Sequence, residues 1–430
     1  MAGFAFAFAK SGIVMDERAM RQAIERKREG AELEPSLWDA IVAAYMAGAV
    51  DDAQMAAMTM ACVWRGLTIA EATALTRAMV ASGQTLQYPS NSIVVDKHSS
   101  GGVSDIVSPI VVPLVAACGV RVAKLSGRAL GHTGGTIDKL ETIAGFNAAL
   151  PMDAFVAQVE RIGCAIAAQS DAFVPADKRL YHLRDRTGTV PSLGLIASSI
   201  VSKKIAGGAH RFVFDVKCGS AAFMRTPREA IELAQALVDI SREFGRGAKA
   251  IVSDMNEPLG HSIGTGIEVI EARDFLRGRI LDARVRELCL QVAAAMLELA
   301  GIDEPRALAA SVLDSGSAYE KFVELIEAQG GSRHALEALA LPERTHSVNA
   351  QRDGYVERID AVALGNLARE WSAKAPTAGI RLNVRVGDRV ERGQLLAECY
   401  GVHVNGSHVQ TAIAIGDARP TPHPLVYATI

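Results

Sequence analysis

The chain has 430 residues, 49% of them apolar and 22% charged, with a formal net charge of −3 at pH 7. That length exceeds one compact core and predicts about two or three domains, and the apolar share excludes a disordered protein. Scattered Lys and Arg without net positive charge carry no nucleic-acid or membrane-surface footprint.

Residues 4–9 are apolar but lack a basic leader, which makes a poor signal peptide. The six cysteines are far apart and form no CxxC pair, so they read as free thiols in a reducing compartment, and a cytoplasmic protein is expected. Short amphipathic helices come first. Asp16 caps one that buries Met20 and Ile24 and stops at Gly30; the next runs over 36–48 with Leu37, Ile41 and Tyr45 in step. A third runs from Asp51 and Asp52 to Gly66, and a fourth opens on the capping box Thr68-Ile69-Ala70-Glu71 and stops at Gly83. Together they predict a small all-α domain.

From residue 92 the period changes. Residues 92–96 read as a buried strand, 102–118 as a crossover helix and 120–125 as the next strand, a connection that makes the two strands parallel. Further strands are expected at 164–168, 211–217 and 248–254, with helical stretches such as 228–244 between them. This predicts a large α/β domain with a mostly parallel mixed sheet. The most apolar run, 106–120, is too short to span a membrane and contains Pro109 and Pro113. Residues 191–207 insert another helix, whose expected partner is the N-terminal helical layer. The expected division is therefore 1–83 with 170–207 for a discontinuous helical domain, and 84–169 with 208–342 for the α/β domain. The short β pieces and Gly turns of 379–397 place a small α+β domain at 343–430.

Two loops carry most of the chemistry. Asp96-Lys97-His98-Ser99-Ser100-Gly101-Gly102 and Ser126-Gly127-Arg128…Gly134-Gly135-Thr136 each combine glycine, hydroxyls and a cation after a predicted strand. Glycine lets the backbone approach an anion, while amides, hydroxyls and a cation bind it. Lys97, Ser99, Ser108, Ser126 and Thr136 are thus expected around one phosphate. The plainer reading of any single hydroxyl is a helix or turn cap. His98 shares the first loop and suits a proton donor, since imidazole titrates near neutrality; His132 reads as structural. Ser199 and Lys203 lie four apart on one helix face, and with Arg184 they offer donors to a flat, acceptor-rich ring. From spacing alone, an ordinary solvated Lys/Arg face is the favoured reading.

These motifs resemble the thymidine/pyrimidine-nucleoside phosphorylase family. The resemblance rests on Asp96-Lys-His-Ser-x-Gly-Gly-Val103, Ser126-Gly-Arg-x-Leu-Gly-His-Thr-Gly-Gly-Thr-x-Asp-Lys139, Leu183-Arg-Asp185, Ser199-Ile-x-x-Lys-Lys204, Asp215-Val-Lys-x-Gly-Ser-x-Ala-Phe-Met224 and Ser253-Asp-Met-x-x-Pro-Leu-Gly260. It implies a pentosyltransferase of nucleoside salvage, commonly a homodimer, with inorganic phosphate as co-substrate and no organic cofactor. Such an enzyme attacks C1′ of a pyrimidine nucleoside with phosphate, giving free base and an α-pentose 1-phosphate, and its cleft closes on both substrates. The resemblance assigns phosphate to Lys97, Ser99, Ser108, Lys124, Ser126 and Thr136. It assigns the base to Tyr181, Arg184, Ser199, Lys203, Leu130, Val190, Ile196, Ile200 and Phe223, and catalysis to His98, Arg184 and Lys203. Lys124 also matches a Lys of the broad-specificity enzymes, within reach of a ribose 2′-OH, which adds uridine to thymidine and deoxyuridine as expected substrates. A potassium ion is implied at Ser104, Leu259, Ser262 and Glu271, although Ile106 stands where the pattern has a threonine oxygen. Other departures are Ser100 for Thr, Ser104 for Gly, Ala129 and Ala221 for Gly, and Pro191 and Gly194 at the base-side helix entry. They keep open a phosphorylase of another nucleoside or nucleotide, and a nucleoside-binding relative without turnover. Anthranilate phosphoribosyltransferase has a related architecture but no counterpart of the Arg184 and Lys203 set.

Overall fold

The computed structural model describes residues 13–89, 93–128, 134–169, 173–402 and 404–430; Ala129, Leu130 and His132 lie outside them. By packing, the chain falls into two units. One gathers the chain up to Pro89 with Gln169–His210 and Glu232–Ala248, the other Ser90–Ala168, Arg211–Ile231 and Lys249–Ile430.

The first unit is built from helices. Asp16 caps Glu17–Arg28 by accepting from the Ala19 amide at 2.8 Å. Met20 is buried as expected, but Ile24 is only half-buried and Lys27 takes the inward place. The reason is electrostatic: Lys27 Nζ reaches both oxygens of buried Glu71, at 2.7 and 2.6 Å. Glu71 is also the far half of the Thr68 capping box on Ile69–Ala81 and accepts the Leu33 amide at 3.0 Å, so one carboxylate ties three segments. Pro35–Ala47 buries Trp38, Ile41 and Tyr45, and Asp52–Arg65 opens on its own capping box, Asp51 with Gln54. Two later helices, Pro175–Thr187 and Leu193–Ala206, complete the layer. Ser198 Oγ on the latter donates to the Ala72 carbonyl at 2.9 Å. On the former, Arg179 stacks 3.9 Å over the Tyr45 ring and donates to the Tyr45 carbonyl at 2.5 Å.

The second unit holds the main sheet, with strands β1 (Val94–Ser99), β2 (Arg121–Ser126), β3 (Cys164–Ala168), β4 (Arg211–Cys218) and β5 (Gly247–Asp254). β2 runs parallel to β1 and β3, and β1 parallel to β4. The connection from β1 to β2 contains the buried helix Val107–Ala117. Smaller strands follow: β6 (Ser262–Gly264), β7 (Arg344–Asn349), β8 (Gly354–Ile359), β9 (Gly379–Leu382), β10 (Arg389–Val390), β11 (Leu395–Tyr400), β12 (Ile413–Gly416) and β13 (Val426–Thr429). The sheets run β13-β5-β4-β1-β2-β3, β6-β9-β11-β7 and β10-β8-β12. The α/β class with an all-α layer, a mostly parallel main sheet and an α+β C-terminal part is the observed one. Residues 343–430, expected as a separate domain, supply most of the two smaller sheets but pack as part of this unit. The reason is pairing: β9 adds to β6 and β13 adds antiparallel to β5. The first strand also runs further than expected. Its ladder with β4 continues through Lys97↔Val213 to Ser99↔Asp215, so Lys97-His98-Ser99 is strand rather than loop.

Candidate active site

The residues singled out above fall into two sets, one in each unit. In the second unit, strand alternation sends Lys97 and Ser99 to one face of β1 and Asp96 and His98 to the other. On the first face lies a buried charge cluster. Lys97, with no exposed surface, has Nζ 3.2 Å from Asp215 Oδ2 and 3.4 Å from Ser108 Oγ. Lys217 Nζ lies 2.8 Å from the same Asp215 oxygen and 3.1 Å from Ser253 Oγ, whose hydroxyl donates to Asp215 Oδ1 at 2.6 Å. Ser99 Oγ donates to Asp105 Oδ2 at 2.6 Å, and Lys139 Nζ bridges the Asp105 carbonyl at 2.8 Å and Glu268 Oε2 at 2.6 Å. Burial alone would push the Asp105 carboxyl up. The Lys217, Lys97 and Lys139 ammoniums and the Ser99 hydroxyl outweigh that and hold it well below the usual carboxylate range. The Lys217 ammonium, which burial would discharge, is held above its ordinary range by Asp105 and Asp215.

The cluster differs from a cation exposed to solvent phosphate. Lys97 is part of an internal lattice of Lys and Asp, and Arg128, the cation of the second loop, is turned away. Its guanidinium grips Glu141 at 2.6 and 2.9 Å and Asp138 at 2.9 Å. Lys124 is buried and donates to the Leu125 carbonyl at 3.1 Å. Ser126 ends β2, Thr136 opens the helix Thr136–Leu140, and Ser108 lies in the first turn of Val107–Ala117. His98 is half-buried, with Phe214 edge-on at 6.5 Å between ring centroids. Ser100 keeps a hydroxyl where it is used: its Oγ accepts the Lys217 amide at 2.8 Å. Phe223 is exposed.

In the first unit, Lys203 Nζ donates to Asp177 Oδ2 at 2.8 Å and to Ser199 Oγ at 3.0 Å. Lys203 and Tyr181 line a cavity of about 390 Å³, with Phe173, Val174, Asp177 and Asp185 among its walls. Asp177 is buried, and its second oxygen, Oδ1, has no hydrogen-bond partner among the described residues. Burial pushes the Tyr181 phenol up, as do the charges of Asp185 and Asp177. Arg184, Val190, Ile196 and Ile200 do not line this cavity. Arg184 is buried and holds its own neighbourhood together, donating to the carbonyls of Thr189 at 3.2 Å, Val190 at 2.7 Å and Leu195 at 3.3 Å. A guanidinium has five N–H donors, so some remain for a ligand. Gly194 is there for space: a Cβ would meet Leu67 Cβ at 2.7 Å. Sequence reasoning missed Asp177 and Asp105, and quoted Asp215 and Lys217 in a motif without giving them a role. Signals existed for some of them, since Asp177 precedes Tyr181 by one helical turn and Asp215 and Lys217 share a strand face.

The oxygens implied as potassium ligands are already occupied. Ser104 Oγ donates to the Ser262 carbonyl at 2.5 Å, and the Ser104 carbonyl accepts the amides of Ile106 at 3.1 Å and Gly260 at 3.2 Å. Glu271 accepts the His261 amide at 2.8 Å and the Ser262 amide at 2.5 Å. The Leu259 carbonyl accepts Arg385 Nη2 at 2.8 Å. Ile106 is buried in the apolar core and offers no side-chain oxygen. As placed, these residues do not fit a bound cation.

Residues 91–319 match the family model described as glycosyl transferase family, a/b domain, and residues 21–83 the model described as glycosyl transferase family, helical bundle domain. A pyrimidine-nucleoside phosphorylase of Geobacillus stearothermophilus is 43% identical over 397 residues, covering 89% of this chain and 92% of that protein. The Bacillus subtilis protein of the same name is 42% identical over 406 residues, 91% of this chain and 94% of the relative. Among solved structures, anthranilate phosphoribosyltransferase from Thermus thermophilus aligns with a TM-score of 0.58 at 22% identity. It covers 71% of this chain and 99% of its own, and the likeness is one of fold.

Proposed function

We propose, for a chain that belongs to the pyrimidine-nucleoside phosphorylase family of glycosyl transferases, that it phosphorolyses pyrimidine nucleosides. A phosphate oxygen forms a bond to C1′ as the C1′–N1 bond breaks, and the bonding pair leaves with the base. The products are free pyrimidine and an α-pentose 1-phosphate. The observation that carries this reading is the arrangement of Lys203, Asp177 and Tyr181 around one cavity. A pyrimidinedione edge presents acceptor, donor, acceptor. In this reading the Lys203 ammonium donates to a ring carbonyl and gains most when the leaving base carries negative charge. The free Oδ1 of Asp177 accepts the ring N3–H, and a buried carboxylate oxygen without a partner favours a ligand that supplies one. Arg184, already fastened by three carbonyls, offers its remaining N–H groups to the base from a fixed position. The family resemblance further assigns Val190, Ile196 and Ile200, which do not line the cavity itself, to the apolar setting of the ring.

Phosphate is assigned to the β1 and β2 ends, with Ser99, Ser108, Ser126 and Thr136 as hydroxyl donors and Lys97 and Lys124 as cations. Lys97 Nζ is held inside that lattice, beside Asp215 and Ser108, and is not exposed. His98 is assigned the proton that the departing base takes up. Thymidine, deoxyuridine and uridine are the proposed substrates, and a cytoplasmic homodimer is part of the same reading. The decisive experiment is phosphate-dependent base release from thymidine, deoxyuridine, uridine, cytidine and purine nucleosides, with N3-methylthymidine as the probe of Asp177. Release from the first three is expected, with N3-methylthymidine inert. No release from any pyrimidine nucleoside would overturn the assignment, and equal rates for N3-methylthymidine would remove Asp177 from it. Lys203→Ala and His98→Ala are expected to lower kcat by orders of magnitude; near-normal rates in both would undo their roles.

A further inference from the structure

Ser104 and Glu304 are the non-glycine residues of positive φ among those described, and Ser104 is fully buried at φ 56°. A side chain disfavours that conformation, so something local must hold it there. Two contacts do so. The Ser104 carbonyl accepts both the Ile106 and Gly260 amides, and the hydroxyl donates to the Ser262 carbonyl at 2.5 Å. That separation lies at the short end of the O–H···O range of about 2.5–3.0 Å. The Ser104 hydroxyl is thereby committed as a donor to the carbonyl of Ser262, a residue implied as a cation ligand.

A second, independent feature lies on the same turn. Arg385 places Nη1 2.6 Å from the Pro258 carbonyl and 3.2 Å from that of Gly260, and Nη2 2.8 Å from that of Leu259. Its charge is anchored by Asp282 Oδ2 at 2.6 Å, an oxygen that also lies 3.1 Å from His261 Nε2. A guanidinium is planar and permanently charged, and its fork of donors suits successive carbonyls. The turn therefore already holds a cation, covalently attached to the chain. Glu271 is satisfied in the same way, by the His261 and Ser262 amides on its two oxygens.

We propose that Arg385 and the Ser104 hydroxyl replace a monovalent cation in this chain, fastening residues 258–262 to the turn after β1, and that no alkali ion binds there. Asp105, next in the chain, then sits where it receives the Ser99 hydroxyl and the Lys217 charge, which makes Ser104 a positioning residue for the β1 end. The structural claim stands without the phosphorylase reading; the kinetic consequence rests on it.

The test is a salt panel on the full-length protein, with potassium, rubidium, sodium and choline chlorides at equal ionic strength. Thermal unfolding and phosphorolysis are the two readouts. Expected are midpoints that coincide and rates that agree within about twofold, because a ligand that does not bind the folded state cannot stabilise it. A potassium-specific rise of several degrees in the midpoint would overturn the proposal, even if no nucleoside is turned over. Ser104→Ala keeps the Cβ and removes only the hydroxyl. Its phosphate KM is expected to rise several-fold, with kcat less affected and no recovery in potassium. Recovery in potassium but not in choline would mean that these oxygens still form a cation site, and would overturn it as well.

Discussion

Asp105 shows what single residues contribute here. Three ammonium groups surround one buried carboxylate, and their attraction exceeds its burial cost. Removing one partner of a buried ion pair leaves the others uncompensated, which costs about 3–5 kcal/mol. Asp105→Asn should therefore lower stability at neutral pH by about that much, measured by urea unfolding. The sign of the pH dependence follows from the direction of the shift. A carboxyl held below its unfolded value of about 3.9 contributes fully above that pH, and the contribution fades as pH falls through the folded value. The wild type should lose this part of its stability below about pH 4, and Asp105→Asn should lack that limb. Lys217 works in the opposite direction. Its ammonium is held up, so its contribution is complete below about pH 10 and is lost as pH rises through the folded value. At this scale Lys97, Ser99, Ser199 and Lys203 were legible from motif and spacing. Asp215 as the partner of Lys97 was not, because the two are 118 positions apart in sequence (215 − 97) and meet only through the β1–β4 ladder.

Among the elements, the Leu193–Ala206 helix has the most direct bearing on the proposed function. It carries Ser199 and Lys203 one turn apart, and its position depends on contact near its start, where Gly194 meets Leu67. Gly194→Val should push that end away from Leu67 and cost about 1–3 kcal/mol by overpacking. Because the displaced helix bears the proposed base-side donors, nucleoside KM should rise while phosphate KM stays near wild type. Steady-state kinetics with each substrate varied separately check this; a parallel rise in both would argue against the helix as the cause. The Thr68 capping box and the Asp51 and Asp16 caps were readable because caps are local, made between residues three apart. The true end of β1 was not. Gly101 and Gly102 advertise a turn, but pairing with β4 carries the strand to Ser99 first.

For the molecule as a whole, the informative feature is the pairing of β13. β13 returns to the main sheet and covers the edge of β5, with Ile430 and Ala250 exchanging backbone hydrogen bonds at 2.8 and 2.9 Å and the Leu425 carbonyl accepting the Asp254 amide at 2.9 Å. An open β5 would present unpaired amides to other chains. A chain ending at residue 424 should therefore show lower urea midpoints and a greater tendency to aggregate, measured by unfolding and light scattering. Unchanged behaviour would mean that β13 is an ornament. Local signals were enough for the α/β class and the helical layer, because periodicity, caps and turn residues act over a few positions. Three things required the folded chain: the interlocked Lys and Asp lattice beside β1, the Asp177 oxygen at the Lys203 cavity, and the Arg385 guanidinium on the 258–260 carbonyls. Each joins residues far apart in sequence, and burial makes each charge depend on a partner that no local pattern encodes.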